Sequence, residues 1–218
     1  MIKVDLHTHS SASPDGGLTQ QDYMQLIGDN VLDYVAITDH NAVHFALELQ
    51  AALGDKIIVG EEVMSDEGEI VGLFLRSEVR AGMPLRATAE AIKAQGGLVY
   101  IPHPFETVRK GVSEKSLDAI ADLVDIVEVY NGRAVVQNRG PQAAVWARLH
   151  QKATAASSDA HGSKGVGTVY TTIKQAPTAS NLVSALQTGH RTMHRPPLRS
   201  LLYPKVHRLR KKVGRNHG

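Results

Sequence analysis

The sequence predicts an α/β fold on a mainly parallel sheet, open or closed. Two observations carry this: short β-rich apolar runs alternate with helical patterns along most of the chain, and their spacing suits strand–helix–strand connections. At 218 residues the chain is long enough for one large domain with its own core.

The elements follow in order. Strands are expected over 2–6, 33–37, 56–59, 69–75, 97–101, 124–129, 153–157 and 168–173, each rich in β-branched or aromatic residues or bounded by turn formers. Helices are expected over 19–29, 41–53, 84–95, 116–122, 138–151 and 178–188. Thr19 with Asp22 three residues on resembles a capping box, and Thr178 precedes a run of helix formers. Gly96-Gly97 ends one helix before the next strand begins. There is no internal repeat. Residues 1–190 read as one domain, and residues 191–218, with Pro196, Pro197 and Pro204, as an irregular basic tail.

Composition narrows the class. No apolar stretch approaches the roughly 18–20 residues of a membrane helix. Met1 leads straight into Ile2-Lys3-Val4 without a basic n-region or an h-region, so a cytoplasmic location is expected. Cysteine is absent, which excludes disulfides and thiolate metal sites. Charge is divided unevenly: residues 1–159 hold all 22 acidic residues with 13 basic ones, whereas 160–218 hold 11 basic residues and no acid. Such a tail is either a solvated terminus or a docking element for an anionic partner, nucleic acid or membrane surface.

The chemistry lies where the strands end. Strand 2–6 is followed by His7 and His9, strand 33–37 by Asp39-His40, strand 56–59 by Glu61-Glu62, strand 97–101 by His103, strand 124–129 by Asn131 and Arg133, and strand 153–157 by Asp159-Ala160-His161. In barrels of parallel strands the active site is built from residues that follow the strands. A lone histidine there is usually a packed or capping residue; the recurrence of ligand-type side chains points to a metal site. Nitrogen and oxygen ligands without sulfur suit zinc, manganese or iron. His7, His9, Asp15, His40, Glu62, His103, Asp159 and His161 exceed what one catalytic ion takes, so two or three ions sharing a carboxylate are expected. Glu128, inside an apolar strand, requires a partner, and Asp39 is expected to orient a histidine.

The strings Asp5-Leu6-His7-Thr8-His9-Ser10, Ser13-Pro14-Asp15-Gly16, Ile37-Thr38-Asp39-His40-Asn41, Gly60-Glu61-Glu62, His103-Pro104 and Ser158-Asp159-Ala160-His161 resemble the polymerase-and-histidinol-phosphatase (PHP) family of metal-dependent phosphoesterases. The resemblance runs from residue 3 to about 170. It implies a distorted (β/α)7 TIM-like barrel over the 1–190 domain, with two or three divalent ions at its C-terminal face. His7, His9, Glu62 and Asp159 would hold the first ion, Glu62 and His103 the second, and Asp15, His40 and His161 the third. Many relatives place a histidine where this chain has Glu69, which is expected to ligate through oxygen instead.

The resemblance further implies hydrolysis of a phosphomonoester or phosphodiester by a metal-bound hydroxide. No catalytic side chain is expected beyond the metal ligands, and Asn131 and Arg133 would hold substrate phosphate. The substrate would be a phosphorylated small molecule or a nucleic-acid end, in an open site whose turnover survives loss of residues 205–218. The rival readings are an amidohydrolase-type metal hydrolase, which usually carries a bridging lysine on a middle strand, and a non-catalytic module docked by its basic tail.

Overall fold

The computed structural model describes residues 1–215; Asn216, His217 and Gly218, the end of the expected tail, lie outside the described residues. Seven strands form the wall of a nearly closed barrel: β1 (Ile2–Asp5), β2 (Tyr34–Ile37), β3 (Ile57–Met64), β4 (Glu69–Leu73), β5 (Leu98–Ile101), β6 (Ile126–Asn131) and β7 (Ala153–Ser157). β1, β2 and β3 run parallel, as do β5, β6 and β7. β4 runs antiparallel to both neighbours, with Met64 opposite Glu69 across the β3–β4 hairpin. Two more strands, β8 (Val169–Ile173) and β9 (His190–Met193), form an antiparallel pair beside β1. The α/β barrel expectation holds, with one wall strand reversed and an antiparallel strand pair added.

Helices α1 (Gln20–Gly28), α2 (His44–Leu53), α3 (Leu85–Ala94), α4 (Glu114–Ala119) and α5 (Gly140–Leu149) surround the wall. Thr19 and Asp22 form the expected capping box at α1, satisfying two end groups reciprocally. Strand periodicity splits the core. Val35, Ile37, Ile57, Val59, Val99, Ile101 and Val127 pack with helical residues such as Tyr23, Leu49, Ile92 and Trp146. Val4, Tyr34, Ala36, Ile58, Val71, Tyr100, Ile126 and Ala155 form a second cluster, joined by Leu182, Ala185 and Leu186 of α6 (Leu182–Gln187). The second cluster contains strand-side residues and α6 alone among the helices, so α6 plugs the barrel. Helix α6 starts four residues later than expected. Thr178 does not cap it; the Thr178 N–H donates to Asn181 Oδ1 instead.

The first and seventh wall strands meet in two ways. At the rim, Thr8 and Ala160 form a parallel bridge, and the His9 N–H donates to the Ala160 carbonyl at 2.9 Å. Below, β8 wedges between them, and the buried Thr171 hydroxyl accepts from the Ala156 N–H at 3.0 Å and reaches the Ala156 carbonyl at 3.3 Å. Thr171→Val keeps the shape and removes the partner of a buried amide. It is expected to cost about 1–3 kcal/mol, read as a lower urea midpoint with an unchanged slope.

The segment expected to be irregular is largely ordered. β9 pairs Thr172 with His190 and Val169 with Met193, carrying the sheet past residue 190. After a 3-10 stretch at 198–202, helix α7 (Tyr203–Arg215) runs back over the barrel rim. Pro204 falls in its first turn, where no N–H is needed, so this proline starts the helix instead of breaking it. Among the described residues no helix is long and apolar enough to cross a membrane.

Candidate metal centre

Each strand-end residue reaches the same rim because parallel strands present their ends on one side, and the reversed β4 begins there. The β2–β3 pairing continues past the strand as a bridge between His40 and Glu62, which brings their side chains together. His103 and Asp159 both adopt positive φ, at 28° and 50°. That costly backbone region clusters where function constrains the chain.

The side chains converge in three overlapping groups. His7 Nε2 and His9 Nε2 lie 3.1 Å apart, at 3.5 and 3.3 Å from Glu62 Oε2 and 3.7 and 3.4 Å from Asp159 Oδ1. The other Glu62 oxygen, Oε1, lies 3.1 Å from His103 Nε2, with Glu69 Oε2 3.8 Å from the same nitrogen. Asp15 Oδ1 lies 3.6 Å from His40 Nε2 and 3.5 Å from His161 Nε2. His40 also meets this cluster from its other side, with Nδ1 3.1 Å from Glu62 Oε2 and 3.7 Å from Glu69 Oε1. All nine residues expected from the sequence are therefore in one place, and every one except half-buried His40 is buried. Sets of three or four of their ligand atoms lie within 4.8 Å of one another. So many lone pairs facing one centre, with imidazole and carboxylate donors only, fit bound divalent cations.

The electrostatics are those of a shared cluster. Burial pushes the Glu62 carboxyl up, but His7 and His40 outweigh it and hold Glu62 well below the usual carboxylate range. Burial likewise raises Asp159, and Arg133 with His7 overcomes it. His161 is pushed down to about 3 by burial, with His9 and Arg133 adding to the shift. Glu69 is pushed up to about 9 by burial and by the charges of Glu62 and Asp159.

A set of supporting groups holds these ligands. Glu128 has the partner it required: its carboxylate meets His7 Nδ1 at 3.3 Å and accepts from Tyr100 Oη at 2.6 Å, the His103 N–H at 2.7 Å and Asn131 Nδ2 at 2.8 Å. Such a contact fixes the ring and directs Nε2 inward. Asp39 departs from expectation. It accepts from the Ser10 N–H at 2.6 Å and the Ser10 hydroxyl at 2.5 Å, so it anchors the chain after His9 and orients no imidazole directly. Glu61 is buried and accepts from the Val79 N–H at 2.8 Å.

Asn131 lies beside the cluster, not along the cleft wall. Its oxygen accepts from Arg109 and from the Arg133 N–H, and its nitrogen donates to Glu128 and Asp159. Arg133 does line the cleft, with Nη1 3.4 Å from Asp159 Oδ1. The sequence reading missed Arg109, which joins Asp159 at 2.7 Å, Asn131 at 2.6 Å and Glu106 at 2.6 Å. Its loop is laced to the start of β4 by the Glu69 N–H donating to Lys110 O. The adjacent Arg109-Lys110 pair in a post-strand loop was the available signal. Arg208 of α7 was missed too: its Nη2 donates to Asp15 Oδ2 at 2.6 Å.

The resulting cleft, about 620 Å³, has a His/Asp/Glu floor and a rim carrying Arg109, Lys110, Arg133 and Arg208. Pro204 and Arg208 make α7 one of its walls, so the site is less open than its sequence suggests.

Comparison with known proteins agrees with this architecture. A profile described as PHP-associated matches residues 140–190. Two uncharacterised proteins of Methanocaldococcus jannaschii are related in sequence. One is 34% identical over 178 residues, covering 78% of this chain and 69% of the relative. The other is 32% identical over 150 residues, covering 63% and 88%. A two-domain protein of Bacteroides vulgatus, described as containing a PHP-like metal-dependent phosphoesterase, shares the fold with a TM-score of 0.71 at 18% identity, over 95% of this chain and 69% of that one. The chain belongs to the PHP family.

Proposed function

We propose that this protein is a metal-dependent phosphoesterase acting on small phosphorylated molecules. The observation that carries the reading is a cluster of nine convergent His, Asp and Glu side chains, seven of which line one cleft with a cationic rim. A floor of this kind suits divalent ions, and guanidinium groups around it suit phosphate oxygens. The wall formed by α7 favours a small ester over a polymer.

His7, His9, Glu62 and Asp159 would hold one ion, Glu62, Glu69 and His103 a second, and Asp15, His40 and His161 a third. When bound, the ions supply Lewis-acid chemistry, activating the attacking water and neutralising phosphoryl charge. Glu62 would span two of these positions, since its two oxygens face different histidines. Glu128 would hold the His7 proton at Nδ1, leaving Nε2 free to ligate. Arg133, with Lys110 at the rim, would bind and orient the phosphoryl group. Arg109, tied to Glu106, Asn131 and Asp159, would position the aspartate. A late strand-end aspartate is shared with amidohydrolases, but no lysine directly follows the C-terminal end of any of the strands β1 to β7, and Glu62 would take the bridging position.

The test is metal content of the purified protein together with hydrolysis of p-nitrophenyl phosphate and its bis-ester. The monoester is expected to be cleaved faster; chelator should abolish turnover, and zinc, manganese or iron should restore it. Full metal loading with neither ester cleaved overturns the reading.

The place of α7 also changes what is expected of the tail. Removal of residues 205–218 should not be neutral, since Arg208 lies on the cleft wall. Arg208→Ala is expected to raise KM for p-nitrophenyl phosphate about three- to tenfold with kcat little changed, as loss of one half-solvated cation would. Steady-state kinetics on the two proteins decide it.

A further inference from the structure

We infer that α7 is an interfacial helix that docks this protein onto an anionic membrane surface. One side of α7 is fastened to the barrel. The Tyr203 ring covers Gly162 and His207 covers Gly17. Arg208 holds Asp15, and Lys211 donates to the carbonyls of Ser11, Ser13 and Gly16. The opposite side carries an apolar stripe turned to solvent. Val206, Leu209 and Val213 share that face of α7 and are 39%, 64% and 51% exposed, and Leu198 and Leu202, in the 3-10 stretch leading into the helix, are 63% and 59% exposed. Aliphatic residues so aligned on the outside of a helix contribute nothing to this barrel's core. A continuous exposed stripe of this kind marks a contact surface.

Its flanks identify the occupant. Projected at the helical period, exposed Lys205 and Lys212 border the stripe on one side and exposed Arg210 on the other, with exposed Arg199 in the 3-10 stretch before the helix. No acidic residue occurs anywhere in 160–218. An apolar face edged by cations on both sides is the pattern of a helix lying in the plane of a bilayer surface, with aliphatic groups among the acyl chains and cations at anionic headgroups. A second copy fits poorly, because pairing two such stripes juxtaposes Lys205, Arg210 and Lys212 with their like-charged counterparts. Nucleic acid would engage the cations and leave the aliphatic stripe in water. Since the barrel-facing side of the same helix forms a wall of the cleft, docking would leave the cleft beside the bilayer surface.

The experiment uses the full chain, sedimented with vesicles of phosphatidylcholine alone or mixed with phosphatidylglycerol, at low and high salt. Co-sedimentation with the anionic vesicles only, weakened at high salt, is expected. Leu209→Glu with Val213→Glu should reduce binding at least about tenfold at low salt while far-ultraviolet circular dichroism and melting temperature stay unchanged. Lys205→Glu with Lys212→Glu should reduce it comparably. Equal partition of wild type and the Leu209/Val213 variant overturns the proposal. So does binding to a single-stranded oligonucleotide without binding to vesicles. A concentration-dependent dimer broken by the same aliphatic substitutions, with no vesicle binding, would assign the stripe to a second copy and also overturn it.

Discussion

Glu62→Gln is expected to lower phosphomonoester hydrolysis by about a thousandfold or more, ~4 kcal/mol of barrel-site catalysis, with the fold intact. Glu62 sits at the centre of the cluster: Oε2 faces His7, His9 and His40, while Oε1 faces His103. Glutamine preserves volume but substitutes a neutral amide, with one donor in place of one acceptor oxygen. One of the two ion positions would then meet an N–H where it needs a lone pair. Metal content measured by elemental mass spectrometry should fall alongside activity, and circular dichroism should be unchanged. A variant with full metal content and full turnover would show that Glu62 bridges nothing.

The second large effect concerns a residue outside the cluster. Glu128 gathers His7 Nδ1, Tyr100 Oη, the His103 N–H and Asn131 Nδ2 around one fully buried carboxylate. Glu128→Ala strips an acceptor from three buried donors and leaves His7 without its partner. It is expected to destabilise the protein by about 3–5 kcal/mol. Glu128→Gln keeps the volume and should cost far less stability, yet weaken metal affinity about 10–100-fold, because His7 loses the charge that fixes its ring. Denaturant unfolding separates the first variant from wild type, and metal titration separates the second. Equal metal affinity in the glutamine variant would confine Glu128 to a structural role.

Much of this arrangement was legible in the sequence because parallel strands deliver their C-terminal residues to one rim. His7, His9, His40, His103, Asp159 and His161 each follow an apolar run, and that position alone announces convergence. Glu69 was legible only through family resemblance, since it opens a strand; its place at the rim comes from the β3–β4 reversal, which hydrophobic pattern does not distinguish from a parallel return. Arg109 comes from a loop whose path depends on backbone bonds to β4, and no periodicity reports those. Helix α7 was hidden by Pro204, which sequence reasoning takes as a breaker unless its place in the first turn is known. Its polar-and-aliphatic alternation also signals no core, because its apolar side faces away from the barrel.

The join between the first and seventh wall strands leaves the cylinder with a hem stitched by one backbone bridge and a few side chains. The sheet runs unbroken from β7 through to β1, so His7 and His9 stand at one margin of the seam and Asp159 and His161 at the other. Any cation gripped by both sets is therefore also a buckle. The atoms that make this protein reactive would fasten its looser edge, so that ligand shell and architecture strengthen or slacken together.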